Sequence, residues 1–220
     1  MKIVSAVLGT VVIMILYYGA VVLLDRRLSL QLSGKRVFFR ENCITDKFVL
    51  GVGMITAAVW CWLSIRQDMY IFALLQNMAI FLAMSIFAVT DRKARLIPNR
   101  VVLFFLGLWS VIGMGAVVSD PERGLAFIGQ SIIGGLAGGL IFLLCYLISK
   151  GQLGAGDVKL AFVMGLYLTG QRIVGAIAYG VLVCCVYSLV QMARKKLTMK
   201  DGVPLAPFLY LGTLLTFLIL

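Results

Sequence analysis

The sequence predicts an all-α polytopic membrane protein with about eight transmembrane helices. Three observations carry that prediction. Of the 220 residues 62% are hydrophobic, with a mean hydropathy of +1.05, where a soluble domain has roughly 45–50% apolar residues. The excess comes in long runs close to the ~20 residues that a helix needs to cross a bilayer, without the alternating segments of a β-barrel. The cations collect in a few short loops between those runs, the positive-inside pattern.

Residues 3–24 form the first run, with one lysine ahead of it and no evident small-residue cleavage site. It reads as a retained transmembrane helix, not a removed signal peptide. A basic loop follows, 25–47, then a second span over 48–65 and a nearly neutral turn at Arg66-Gln67-Asp68. The third span is 70–90, and Asp91 is expected to begin the next loop. Pro98 disfavours helix in the residue before it, so Ile97 should be extended ahead of a fourth span over 101–118. A polar turn, 119–123, leads to a fifth span over 125–149. Its Gly134-Gly135 and Gly138-Gly139 pairs put small residues on one face, a close-packing surface between helices. A short sixth span is expected over 158–169, a turn at Gly170-Gln171-Arg172, a seventh span over 173–192 and an eighth over 204–220. The whole chain, 1–220, reads as one membrane domain: two N-terminal helices with a short basic loop over 1–69, and a core over 70–220.

The charge of +11 does not point to nucleic acid, since no polar domain presents a basic face. With both termini outside and eight spans alternating, the inside loops are 25–47, 91–100, 150–159 and 194–202. They hold 16 of the 20 Lys and Arg residues, and they also hold Asp91 and Asp157.

There is no histidine, which removes Ser-His-Asp triads, Cys-His pairs and HExxH metal sites. The five cysteines, Cys43, Cys61, Cys145, Cys184 and Cys185, contain no C-x-x-C pair, so zinc of the usual spacing is not supported. Acid–base work falls to carboxylates, Lys, Tyr or Cys. Two aspartates stand out. Asp157 lies in Gly154-Ala155-Gly156-Asp157-Val158-Lys159-Leu160, and Asp91 opens Asp91-Arg92-Lys93-Ala94-Arg95-Leu96-Ile97-Pro98-Asn99. A charge at a bilayer edge is costly and usually functional. Two carboxylates held close share a proton because both cannot ionise easily, and the titration belongs to the pair. Such a dyad can activate water and protonate the oxyanion of a cleaved amide. Burial at the membrane edge should push its pKa upward. Gly154 and Gly156 would permit close approach or positive φ and leave backbone groups open to an extended substrate. Lys159 and the arginines near Asp91 would keep the potential positive.

Plainer readings stand beside these. Asp157 can cap the helix that follows it, Asp91 can be an ordinary charged helix end, Lys159 and Arg95 can be positive-inside anchors, and Pro98 and Asn99 can simply form a turn. Asp25, Asp46 and Asp201 are also inside, among basic residues without glycine context. Two other classes compete with a protease: a proton-coupled transporter using intramembrane carboxylates, and a non-catalytic scaffold for pilus or secretion assembly. Carboxylates at span ends count against the transporter, which expects them near the bilayer midplane.

The Asp91–Asn99 stretch resembles the first aspartate motif of the type IV prepilin peptidases, and the Gly154–Leu160 stretch resembles their second. Pro204-Leu205-Ala206-Pro207-Phe208-Leu209, with Gly212, resembles their closing helix. The resemblance covers about two thirds of the chain. It implies a GxGD-class aspartyl endopeptidase of a prokaryotic cytoplasmic membrane, with Asp91 and Asp157 as the catalytic pair on the cytoplasmic side. Its substrates would be prepilins and pseudopilins, cut after a glycine between a basic leader and an apolar helix. Longer members carry two zinc-binding C-x-x-C pairs after the first helix and also N-methylate the new terminus. Here that loop has about 23 residues and the lone Cys43, so the expectation is a peptidase with no metal, no other cofactor and no methylation.

Overall fold

A computed structural model describes residues 2–31, 46–66, 71–149, 153–196 and 202–219, without the side chains of 2–5, 25–31, 64–66 and 171. Among the described residues the helices are α1 (Lys2–Gln31), α2 (Lys47–Arg66), α3 (Ile71–Ala94), α4 (Asn99–Ser119), α5 (Pro121–Ile148), α6 (Ala155–Ala193) and α7 (Ala206–Ile219). The backbone of α6 breaks at Thr169 (φ 63°, ψ 174°), so the described chain has eight helical segments. Five of them are long and apolar enough to cross a membrane: 6–24 of α1, α3, α4, α5, and the half of α6 after the break. The apolar part of α2 and the whole of α7 are shorter. The 14 residues of α7 reach about 21 Å at ~1.5 Å per residue, short of a hydrocarbon core of about 30 Å.

Helix α3 is the centre of the bundle. Every residue from Ala79 to Asp91 is buried, as in a helix surrounded on all sides. It touches α1, α2, α4, α6 and α7. Helix α1 lays Ala6, Ile13, Tyr17 and Val21 inward at helical spacing, and the Tyr17 hydroxyl donates to Val49 O of α2 at 3.0 Å.

The expected glycine surface is real, and its partner is α6. A Cβ on Gly165 would stand 2.1 Å from Gly134 O, and one on Gly138 would stand 2.6 Å from Ala161 O. The two backbones are in direct contact there, as small residues allow in a membrane.

The break in α6 corrects the expected turn at Gly170-Gln171-Arg172: those residues are helical, and the departure sits at Thr169. A non-glycine residue with those angles is strained by about 1–3 kcal/mol. The break withdraws the helical partners of nearby carbonyls, and Gln76 of α3 replaces them. Its Nε2 donates to Leu166 O at 2.9 Å and Tyr167 O at 2.8 Å, and lies 3.3 Å from Ser131 Oγ of α5. Gln76 is 2% exposed, so these bonds are made where water does not compete. The sixth segment thereby ends firmly and leaves its N-terminus at the same end of the bundle as the end of α3.

Three boundaries also differ from expectation. Helix α1 runs on to Gln31, seven residues past the expected end at 24. Asp91 lies inside the last turn of α3, not in the loop after it. The sixth segment starts at Ala155, three residues ahead of Val158. Arg66 ends α2, while Gln67, Asp68, Cys43 and most of the 25–47 loop lie outside the described residues.

Candidate active site

Asp91 is 7% exposed, and it sits at a helix C-terminus, where the dipole disfavours an anion. The compensation comes from α7. The Ala206 N–H donates to Asp91 Oδ2 at 2.9 Å, with the Leu205 amide beside it. Pro204 and Pro207 have no N–H to offer, so the open amides at the start of α7 belong to the two residues between them. These are orphan first-turn donors of a helix, and the carboxylate takes one of them.

Beyond Asp91 the chain leaves the helix through Arg95, whose φ of 51° is left-handed and whose N–H reaches back to Asp91 O at 2.9 Å. The Arg95 charge acts on the Asp91 carboxylate. Pro98 is extended (φ −67°, ψ 121°) as the N-cap of α4, and Asn99 opens that helix.

Asp157 stands in the first turn of α6, whose N-cap is Gly154 (φ −72°, ψ 138°). Its Oδ2 accepts from the Gly154 N–H at 3.3 Å. The capping reading is therefore correct as far as it goes, from the third helical position rather than from the cap itself. Burial pushes the Asp157 carboxyl up to about 6, and the charge of Asp91 adds to that push. The two aspartates are thus close enough to feel one another.

The two motifs are joined at two further points. Lys159 Nζ donates to Asn99 Oδ1 at 3.0 Å, tying the start of α6 to the start of α4. Ile97 lies against Gly156, where an added Cβ would be 3.3 Å from Ile97 Cβ. The GAGD glycines serve close approach, since neither Gly154 nor Gly156 has positive φ. At Gly154 an added Cβ would meet Asp157 Oδ2 at 3.2 Å.

Asp46 has a different occupation. It pairs with Lys93 and accepts from the Phe48 N–H at 2.9 Å at the start of α2. The Lys93 ammonium holds its carboxyl below the usual range. The Asp25 side chain and all of Asp201 lie outside the described residues.

Of the sequence-derived candidates, Asp91, Arg95, Pro98, Asn99, Gly154, Gly156, Asp157 and Lys159 all fall at one end of the bundle. The Leu205 and Ala206 amides were not among those candidates. A helix start fenced by two prolines was the available signal.

The family model for the type IV leader peptidase family matches residues 78–189, half of the chain. The chain belongs to the type IV leader peptidase family. The matched stretch contains both aspartates. A prepilin leader peptidase/N-methyltransferase of Bacillus subtilis (strain 168) is 29% identical over 140 residues, covering 63% of this chain and 54% of that relative. The chain thus spans about half the length of this curated relative. No solved structure gives a significant match.

Proposed function

We propose that this protein is a membrane aspartyl endopeptidase that removes the basic leader from prepilins and pseudopilins, with Asp91 and Asp157 as its dyad. The observation that carries the reading is the placement of two carboxylates from different helices at one end of the bundle: Asp91, buried in the last turn of α3 with the Ala206 N–H on its Oδ2, and Asp157, half-buried in the first turn of α6.

The pair holds one proton; the Ala206 and Leu205 amides favour the ionised form at Asp91, so in this reading the proton rests on Asp157 and Asp91 is the carboxylate. Asp91 takes a proton from water while the water oxygen bonds to the scissile carbonyl carbon. Asp157 gives its proton to the carbonyl oxygen, forming a neutral gem-diol. On collapse the C–N bond breaks, Asp91 passes its proton to the leaving amine, and Asp157 recovers one from the diol hydroxyl. Both carboxyls return to their starting state, and no covalent intermediate forms. General acid–base steps of this kind contribute roughly 10²–10⁴-fold each.

Arg95, Lys159 and Asn99 hold the loops that carry the dyad, and Gly154 and Gly156 keep the approach to Asp157 open for an extended peptide. The loop charges favour a cytoplasmic site with both termini outside. The short 25–47 loop, with its single cysteine, favours cleavage without methylation.

The test is incubation of the purified full-length protein in lipid with a peptide carrying a basic leader, a glycine and an apolar helix, with and without a methyl donor. Product masses should show a cut after the glycine and no added methyl group in either case. An uncut peptide in every lipid tried would overturn the peptidase reading. A methylated product would overturn only the restriction to cleavage.

A further inference from the structure

A cavity of about 470 Å³ opens beside the Pro204–Pro207 segment, and none of the GAGD residues lines it. Three cations from two helix ends and the following turn line it: Lys47 of α2, Arg92 in the last turn of α3, and Arg95. All three side chains are exposed. Among the described residues none of them is in an ion pair, whereas the neighbouring Lys93 is held by Asp46. The Arg92 guanidinium lies 4.2 Å over the Phe48 ring, which fixes one charge at the mouth. Arg95 already feels Asp91, which leaves Lys47 and Arg92 as the uncompensated pair.

Below the charges the wall is apolar. Ile55, Leu211 and Tyr187 line it, and Ile55 is 46% and Leu211 37% exposed. The cavity is therefore cationic at the loop end and oily toward the membrane interior. A basic leader peptide is repelled by such a mouth. A molecule with an anionic head and a hydrocarbon body satisfies both halves, and basic pockets between helices on the inside face suit anionic lipid headgroups.

We propose that this cavity seats one anionic phospholipid, its phosphate between Lys47 and Arg92 and an upper acyl chain along Ile55 and Leu211. The seat shares the Pro204–Pro207 segment with the dyad. Pro204 and Pro207 line the cavity, while Ala206 between them holds Asp91. An occupied seat therefore braces the backbone that positions the carboxylate.

The experiment is native mass spectrometry of the full-length protein in detergent with equal phosphatidylglycerol and phosphatidylcholine, which needs no catalytic activity as a readout. One phosphatidylglycerol should be retained in preference to phosphatidylcholine. Lys47→Gln with Arg92→Gln should cut that preference roughly 25-fold, at about fivefold for each cation removed near the surface. Ile55→Trp, which leaves the charges and narrows the apolar wall, should also weaken retention, and it serves if the double variant is misfolded. Equal retention of both lipids, or an unchanged preference in the folded variants, overturns the proposal. Displacement of the lipid by millimolar glycerol phosphate overturns it too, because the seat would then recognise a soluble phosphate.

Discussion

The Ala206 N–H donates to Asp91 Oδ2 at 2.9 Å across 115 positions of sequence. A helix start from the C-terminal end of the chain thus completes the environment of a carboxylate at the end of α3. Without that donor Asp91 would be a buried anion at the negative end of its own helix, where a missing bond to a charged group costs roughly 1.5–3 kcal/mol. Ala206→Pro removes this N–H while keeping a helix-compatible φ. The variant should lose about 10- to 100-fold in peptide cleavage, with a smaller loss for Ala206→Gly, measured as kcat/KM on the leader peptide.

The bond from Lys159 to Asn99 joins the two motif loops but is exposed, so its effect on stability is small. Lys159→Met should leave the melting temperature within a few degrees and lower kcat/KM about 2- to 10-fold, the range of one ordinary hydrogen bond. Asn99→Ala should do the same, and the double variant should be no worse than either single one, because a single shared contact is lost.

At Gly165 an added methyl would stand 2.1 Å from a backbone oxygen of α5, which no side-chain rotation can relieve. Gly165→Ala should destabilise the protein by about 3 kcal/mol, at the upper end of overpacking costs, as read by unfolding in mixed detergent. Gly129→Ala is the control, since a Cβ there meets nothing within 4 Å.

Thr169 and Gln76 form one device and can be separated. Thr169→Gly relieves the strain of φ 63° and should raise stability by about 1 kcal/mol. Gln76→Leu strands the Leu166 and Tyr167 carbonyls and should lower it by roughly 2–4 kcal/mol, since each buried unpaired group costs about 1–3. The same unfolding assay reads both.

The titration of Asp157 has a definite sign. Its folded pKa, about 6, lies above the ordinary carboxyl value of 3.8. The folded state therefore holds the proton more tightly, and the resulting stability is present at low pH and lost as pH rises through the interval from about 4 to 6. Asp157→Asn should flatten that slope, worth on the order of 3 kcal/mol, in stability measured against pH. For the wild type, kcat/KM should fall as pH rises past about 6, because the dyad then loses its shared proton.

Much of this was legible in the sequence because the bilayer restricts what a chain can do. Runs of apolar residues and the placement of cations outlined α1 to α5 and the positive loops. Two aspartates in polar, glycine- and proline-marked stretches point to one end of the bundle, and the fold brings both there. Local patterns could not show where helices stop. Asp91 stays in α3 because α7 supplies a donor to it, a relation between residues 115 apart. Gly170 is the natural turn residue by sequence, yet the α6 break falls one residue earlier, at Thr169, where Gln76 of α3 meets the Leu166 and Tyr167 carbonyls. The glycines at 154 and 156 allow either close approach or positive φ, and the structure uses the first: Ile97 packs on Gly156 and the Asp157 carboxylate lies over Gly154.

The central claim is that Asp91 and Asp157 act together on a peptide bond. Its most direct measurement is single-turnover cleavage of a leader–glycine–helix peptide by the wild type, Asp91→Asn, Asp157→Asn and the double variant, each shown folded in lipid. The account predicts that each single variant loses at least ~10²-fold, and that the double variant is hardly slower than either, because two halves of one proton-sharing unit do not add. Substantial activity left in either single variant, or losses that multiply in the double, would contradict it.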